Sequence, residues 1–348
     1  MTAAGGWRMP AEWVRHERTW AAWPTAGYAD AVPADDLAEA RRTWATAVRA
    51  VALFEPVTVV ADPKDADDAR RTLRQGPTAY GVDVLEVPLD DAWMRDVGPT
   101  FVVGREHTLG AVDWVFDGWG GQEWAVWTHD ARVGERVAAE AGAERVRSEL
   151  VCEGGAVHVD GSGTVLLTES VLLDPARNPG LDRADVEAEM TRTLGASACV
   201  WLPRGLEGDH GEDGTRGHVD LLATFAATGT VLVHWQPDPA HPDHEVSVEA
   251  ERLLRSARDA AGRPLEVVRL TAPSTLEDGD AWVGWSYVSH VVVNGGVVVP
   301  TFGDARDREA QILLGRMYAG RRVVGTPART VFERGGGLHS LTQQQPEV

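Results

Sequence analysis

Lysine is almost missing from this chain: Lys64 is the only one, and arginine carries the rest of the positive charge. That bias reads as genomic base composition and carries no functional weight. Cysteine is nearly as scarce, since Cys152 and Cys199 are the only two. Two cysteines make no disulfide framework, so a reducing cytoplasm is the expected compartment. No apolar run is long enough to span a bilayer, and the longest, such as Val288–Pro300, are interrupted by Ser, His or Asn. The stretch Met1–Arg8 lacks the basic region and long apolar core of a signal peptide. Basic charge is in deficit, with 33 Lys and Arg against 53 Asp and Glu and a formal net charge of −20. A surface that acidic argues against nucleic acid or an anionic membrane as partner. It suits a small cationic ligand, although solubility alone is the commoner reason for such a charge.

Cofactor motifs are absent as well. There is no Gly-Lys-Ser or Gly-Lys-Thr phosphate loop, and Gly161-Ser162-Gly163 runs on into Thr164-Val165-Leu166, leaving a dinucleotide fingerprint incomplete. The stretch richest in metal-type ligands, Asp238–Glu245, reads as a polar loop leading into a helix.

What is present is a chain of 348 residues, 43% hydrophobic, which is enough to bury a sizeable core. No low-complexity linker divides it. Helix candidates are Ala34–Phe54, with Leu37, Ala40, Trp44, Ala47, Val48 and Val51 on one face, then Ala131–Ala141, Arg183–Leu194, Glu245–Ala261 and Asp307–Tyr318. Between them lie strand candidates at Val57–Val60, Val82–Val87, Thr164–Thr168, Leu221–Phe225, Val231–Trp235, Leu265–Leu270 and Val291–Val299. Turns at Asp160-Gly161-Ser162-Gly163 and Asn294-Gly295-Gly296 pair some of these. The alternation specifies a mixed α/β fold, and by pattern alone a doubly wound sheet is an equal candidate.

A series of ordered blocks carries more information than the pattern. They begin with Arg8-Met9-Pro10-Ala11-Glu12-Trp13, His16–Trp20 and Trp23-Pro24. Next come Trp93-Met94-Arg95-Asp96-Val97-Gly98-Pro99-Thr100, Gly118-Trp119-Gly120-Gly121, Glu153-Gly154-Gly155 through Asp160, and Asn178-Pro179. Trp201–Gly205 and Gly217-His218-Val219-Asp220 follow, then Ser286-Tyr287, Asn294-Gly295-Gly296 and Phe302-Gly303-Asp304. The chain closes on Gly335-Gly336-Gly337-Leu338-His339-Ser340-Leu341-Thr342-Gln343-Gln344-Gln345-Pro346. In this order, over most of the chain, the blocks resemble the agmatine deiminases of the pentein superfamily.

That resemblance implies an α/β pentein fold, a five-bladed pseudo-fivefold propeller of ββαβ-type units of roughly 70 residues each. The units show no convincing sequence similarity to one another. It further implies a single catalytic domain over residues 1–348, a site where strand ends converge at a central channel, and no metal or organic cofactor. The implied reaction hydrolyses agmatine, a small cationic guanidine, to N-carbamoylputrescine and ammonia, a step towards putrescine and other polyamines. Relatives commonly form dimers or larger assemblies, so a homo-oligomer is compatible with it.

A guanidinium is planar, delocalised and charged, and carboxylates are its natural clamps. By resemblance Asp96 and Asp220 grip its nitrogens, while Glu153 orients and charges His218. Read alone, Asp96 before Val-Gly-Pro is more often a turn residue at a strand end, and His218-x-Asp220 more often a simple hydrogen-bonding pair. On a strand those two would point the same way. His218 is the implied acid for the leaving amine and then the base for water, with neighbouring carboxylates raising its pKa. Trp93 and Trp119 either cover the substrate through cation–π contact or pack the channel wall.

The family's nucleophile is a cysteine, and here that position holds Ser340. A serine hydroxyl needs a positioned base that the pattern does not supply, so the chain as written is expected to be inactive or slow. Ser340 is either an engineered replacement or the natural residue of a divergent member. Cys152 should face away from the site and Cys199 reads as core. Deimination of another guanidine, such as arginine, peptidyl-arginine or a natural-product precursor, stays open; arginine would need a cation for its carboxylate, and Arg334 is the candidate. So does a catalytically silent guanidine-binding protein. A metal-dependent ureohydrolase is disfavoured, because clustered His/Asp metal motifs are missing.

Overall fold

The computed structural model describes residues 6–25, 34–211, 214–279 and 281–348, so the first five residues of the Met1–Arg8 stretch lie outside the described residues. Within the described residues one topology recurs in five sheets. Thr100–Val103 pairs antiparallel with Leu109–Val115, which pairs parallel with Glu144–Val151. Val157–Val159, Thr164–Thr168 and Ala198–Leu202 repeat this order, as do Ala223–Ala227, Thr230–Trp235 and Glu266–Thr271. Val291–Val293, Gly296–Thr301 and Arg322–Pro327 repeat it again. The remaining sheet joins the two ends of the chain: Thr342–Pro346 pairs antiparallel with His16–Ala22, followed in parallel by Val57–Ala61 and Val82–Glu86.

A parallel pair needs a crossover, and in each sheet that crossover carries a helix. The crossover helices include Ala34–Val51, Val133–Glu140, Arg183–Leu194, Asp243–Ser256 and Asp307–Met317, one to each sheet, and the second parallel pair of the sheet at the chain ends is crossed by Ala66–Leu73. The mixed α/β expectation therefore holds in its ββαβ form, and the doubly wound alternative does not. Local signals explain the boundaries. Asp182 and Asp185 form a capping box that starts Arg183–Leu194, and Gly195 ends it in the left-handed region at φ 70°. The helix anticipated to run from Glu245 to Ala261 stops at Ser256, because Ala257 is extended and Asp259 organises the next turn by accepting from the Ala261 and Arg263 amides. The expected strand Val291–Val299 is two strands folded about Asn294-Gly295.

Helix faces and strands bury four apolar clusters. The largest includes Ala40, Trp44, Ala47, Val48 and Val51 of the first crossover helix, as its periodicity requires. Val57–Ala61, central in its sheet, is buried along its whole length and is accordingly apolar at four of its five positions. Among the described residues no helix is long and apolar enough to cross a membrane.

One consequence of the repeat positions everything else. Four of the first strands are entered through a single helical turn: Met94–Val97, Gly154–Ala156, Val219–Leu222 and His339–Leu341. The first of these turns packs against the second and the fourth, and the second packs against the third.

Candidate active site

Those four turns carry Asp96, Glu153, His218 with Asp220, and His339 with Ser340. The sequence-based placement of His218 and Asp220 on a strand is therefore corrected: His218 caps the turn Val219–Leu222, and the strand begins only at Ala223. Asp96 likewise lies within the turn Met94–Val97 rather than at a strand end. Beside the turns is a cavity lined in part by Trp93, Asp96, Trp119, His218, Arg334 and Ser340. Thr215, Trp124 and Gly335-Gly336 complete much of the wall. Glu153 and Asp220 are not on that wall; each stands behind it, bonded to a histidine.

Glu153 is fully buried between Arg177 Nε at 3.0 Å and His218 Nε2 at 3.1 Å. Burial alone would raise its carboxyl, but Arg177 and His218 outweigh burial and hold it below the ordinary range. Burial likewise opposes charge on His218, yet Asp96, Glu153 and Asp220 push its imidazole up to about 9. The expected upward shift of this histidine is thus borne out. Asp96 moves the other way for a carboxylate: burial raises it, His218 opposes, and Glu153 and Asp220 leave it at about 6.

Trp119 Nε1 donates to Asp96 Oδ2 at 3.0 Å, and reaching it places Trp119 at φ 57°, in the left-handed region. The flanking glycines make that turn affordable, since Gly118, Gly120 and Gly121 also have positive φ. The Trp119 ring meets Phe116 edge-on and stacks on Trp124 at 5.5 Å, so it both lines the cavity and packs its wall. Trp93 packs edge-on against Trp44. The closing glycine run also has a steric reason. A Cβ on Gly336 would lie 2.3 Å from the Trp93 ring, and one on Gly337 2.0 Å from Ser289 Oγ.

Three buried polar atoms here have no hydrogen-bond partner among the described residues: Asp96 Oδ1, His218 Nδ1 and Asp220 Oδ1. Buried charged oxygens without donors are costly, and such atoms mark sites completed by something else. Carboxylate oxygens and aromatic faces are the groups that suit a planar cation. Ser340 Oγ accepts from the Gly337 amide at 3.2 Å, and no side-chain base among the described residues is hydrogen-bonded to it. Arg334 lines the cavity and donates to the Asp36 carbonyl at 2.9 Å.

The two cysteines offer no alternative nucleophile. Cys152 is buried in an apolar cluster with its thiol pushed well up by burial and by Glu153, and burial raises Cys199 to about 12. The Asp238–Glu245 stretch is a loop leading into a helix, in which His241 Nε2 meets the Val283 carbonyl and His244 Nδ1 the Gln236 carbonyl.

Sequence reasoning missed several supporting residues. Arg177 braces Glu153 and also donates to the Thr215 carbonyl. Asp209 accepts from the backbone amides of Thr215, Gly217 and His218, fixing the approach to His218. Glu12, His158 and His339 bring three metal-type ligand atoms together. Their tautomers argue against coordination. The Phe225 amide donates to His158 Nδ1 at 3.2 Å, so Nε2 carries the proton and faces Thr224 Oγ1 at 2.6 Å. His339 Nε2 is already engaged by Glu12.

Comparison with known proteins identifies the family and the fold. The profile of the Porphyromonas-type peptidyl-arginine deiminase family matches residues 8–346. A Streptomyces avermitilis protein provisionally named an agmatine deiminase is 53% identical over 347 residues, covering 99% of each chain. The agmatine deiminase of Stutzerimonas stutzeri is 38% identical over 366 positions, covering 98% of this chain and 96% of its own. A solved structure of the Enterococcus faecalis agmatine deiminase, described as catalysing its reaction, superposes with a TM-score of 0.89 at 31% identity. That match covers 98% of this chain and 96% of the other.

Proposed function

We propose that this chain, which belongs to the Porphyromonas-type peptidyl-arginine deiminase family and has the pentein fold, is an agmatine deiminase whose turnover is slow because residue 340 is serine. The observation that carries the reading is the pair of buried carboxylate oxygens without a hydrogen-bond donor among the described residues, Asp96 Oδ1, 3.8 Å from His218 Nδ1, and Asp220 Oδ1. Asp96 and Asp220 grip the guanidinium nitrogens, and Trp93 and Trp119 cover its plane. A thiolate at position 340, as Ser340→Cys supplies, attacks the guanidinium carbon, His218 gives its proton to the departing amine, and ammonia leaves; the Ser340 hydroxyl must first lose its own proton to solvent, which makes it slow. Water, activated by His218, then displaces residue 340 to give N-carbamoylputrescine, a precursor of putrescine. Glu153 holds His218 in its charged form for the first half. The chain works in the cytoplasm as one catalytic domain and uses no cofactor.

Two tests bear on this reading. Calorimetry on the chain as it stands is expected to show agmatine binding, with ammonia released slowly or not at all. Agmatine, arginine and peptidyl-arginine offered to Ser340→Cys then decide the substrate. Arg334 on the cavity wall is a feature that favours a carboxylate-bearing guanidine. If citrulline forms from arginine while agmatine is untouched, the agmatine assignment is wrong.

Gly155 gives a steric test. A Cβ there would sit 2.4 Å from His218 Nδ1 and 3.2 Å from Asp96 Oδ1. The ring cannot retreat, because its far nitrogen is bonded to Glu153. Gly155→Ala is expected to cost about 1–3 kcal/mol of stability through overpacking. In the Ser340→Cys background it should lower agmatine turnover by roughly 10²-fold, as misplacement of a reacting group does. Denaturant melts and steady-state assays measure the two effects separately.

A further inference from the structure

We propose that Glu12, His339 and Asp220 form one buried chain of hydrogen-bonded charges that fixes the Asp220 carboxylate for the substrate cation, which makes Glu12 and His339 positioning residues. The inference rests on the guanidine reading above and adds two residues that touch no substrate in it. His339 Nδ1 lies 2.8 Å from Asp220 Oδ2, and His339 Nε2 lies 2.6 Å from Glu12 Oε1. All three side chains are buried. One ring therefore bridges two carboxylates with both nitrogens, and two carboxylates accepting from both nitrogens require an imidazolium.

The surroundings agree. Burial and Arg95 work against charge on His339, but Glu12 and Asp220 raise it overall. In return, burial opposes ionisation of Glu12 and Asp220, but His339 brings both below the ordinary carboxylate range, helped by His158 at Glu12 and by His218 and Arg95 at Asp220. The other titratable groups packed around the ring do not compete for its proton. His158 is held in its Nε2-protonated tautomer by the Phe225 amide, and burial pushes His290 down to about 4. Arg95 Nη1 stands 3.7 Å from Glu12 Oε1 and donates to Gln344 Oε1 at 2.9 Å, anchoring the far end.

The consequence is a division of labour within one carboxylate. Oδ2 of Asp220 is spent on His339, while Oδ1 has no partner among the described residues and is left for the guanidinium. The backbone of His339 is fixed too, its amide donating to Ser289 Oγ at 3.1 Å. Because His339 precedes residue 340, a shift at Glu12 moves the clamp and the attacking residue together. A preorganised clamp binds more tightly because less ordering remains to be done on binding.

The test uses the full chain with histidine labelled in its ring nitrogens, His339 being assigned by its disappearance in His339→Gln. Long-range nitrogen–proton spectra from pH 5 to 9 are expected to show His339 as an imidazolium at pH 7.5 in the unaltered protein. In Glu12→Gln it should titrate at lower pH. Calorimetry should show agmatine affinity falling about tenfold in Glu12→Gln, the scale of losing a supporting partner. A neutral His339 at pH 7.5 in the unaltered protein overturns the proposal. So does a folded Glu12→Gln whose His339 titration and agmatine affinity are both unchanged. If Glu12→Gln does not fold, the titration of the unaltered protein decides alone. Failure of agmatine to bind the unaltered protein sinks the guanidine reading, while the His339 titration still reports on the ion chain.

Discussion

Ser340→Cys is expected to raise agmatine turnover by about 10⁴- to 10⁶-fold, the range lost when a covalent nucleophile is removed from a preorganised site. The reason lies in what surrounds position 340. Two imidazolium rings, His218 and His339, are raised above their ordinary range close by, and Arg95 is buried behind them. Such a field stabilises a thiolate, which is nucleophilic without further help. A serine hydroxyl gains little from it, because its proton still needs an acceptor. The one hydrogen bond shown at Ser340 Oγ comes from the Gly337 amide, which donates and cannot take that proton. His218 cannot serve either while it is the charged acid. The substitution changes one atom in the cavity wall, so agmatine affinity should stay within a few-fold by calorimetry. Ammonia release, and a mass increase on the cysteine in quenched samples, measure the gain. A Ser340→Cys protein that folds, binds agmatine and releases no ammonia would end the deiminase reading and leave a guanidine receptor.

The residues at and just behind the cavity wall were legible because they sit in short blocks whose order could be read: Trp93 with Asp96, Trp119, Glu153, His218 with Asp220, and Ser340. Their supports were not, although several lie inside the same blocks. Glu12 is in the first block and His339 in the last, and their contact spans 327 positions. No spacing rule reaches that far. A hint was available in a charged residue set among Met9, Pro10, Ala11 and Trp13, where burial would demand a partner. Asp209 lies in no block at all, and its role exists only through backbone amides that the loop presents. The placement of His218 and Asp220 on a strand went wrong for a local reason. Val219–Leu222 is a single turn, too short to show a 3.6-residue period against the apolar run that follows. The fivefold repetition was invisible for the complementary reason. The units share strand order and crossover, which are backbone properties, while their side chains have diverged to fill different places around one cavity.

That divergence gives His218 its second-largest expected effect. In the Ser340→Cys background, His218→Gln should lower kcat by about 10²- to 10⁴-fold, the usual contribution of a positioned acid and base. Agmatine affinity should hold or tighten, because a positive charge is removed from among Asp96, Glu153 and Asp220. The pH dependence separates this role from a structural one. Asp96 has a raised pKa of about 6, so its carboxylate, and with it the grip on the cation, is present above that pH and lost below it. His218 has a raised pKa of about 9, so its acid form is present below that pH and lost above it. The profile of kcat/KM for Ser340→Cys should therefore rise near pH 6 and fall near pH 9. His218→Gln should lose the falling limb and keep a rising one, moved to higher pH because His218 no longer holds Asp96 down. Should the falling limb survive unchanged, it belongs to another group, and the proton delivered to the leaving amine does not come from His218.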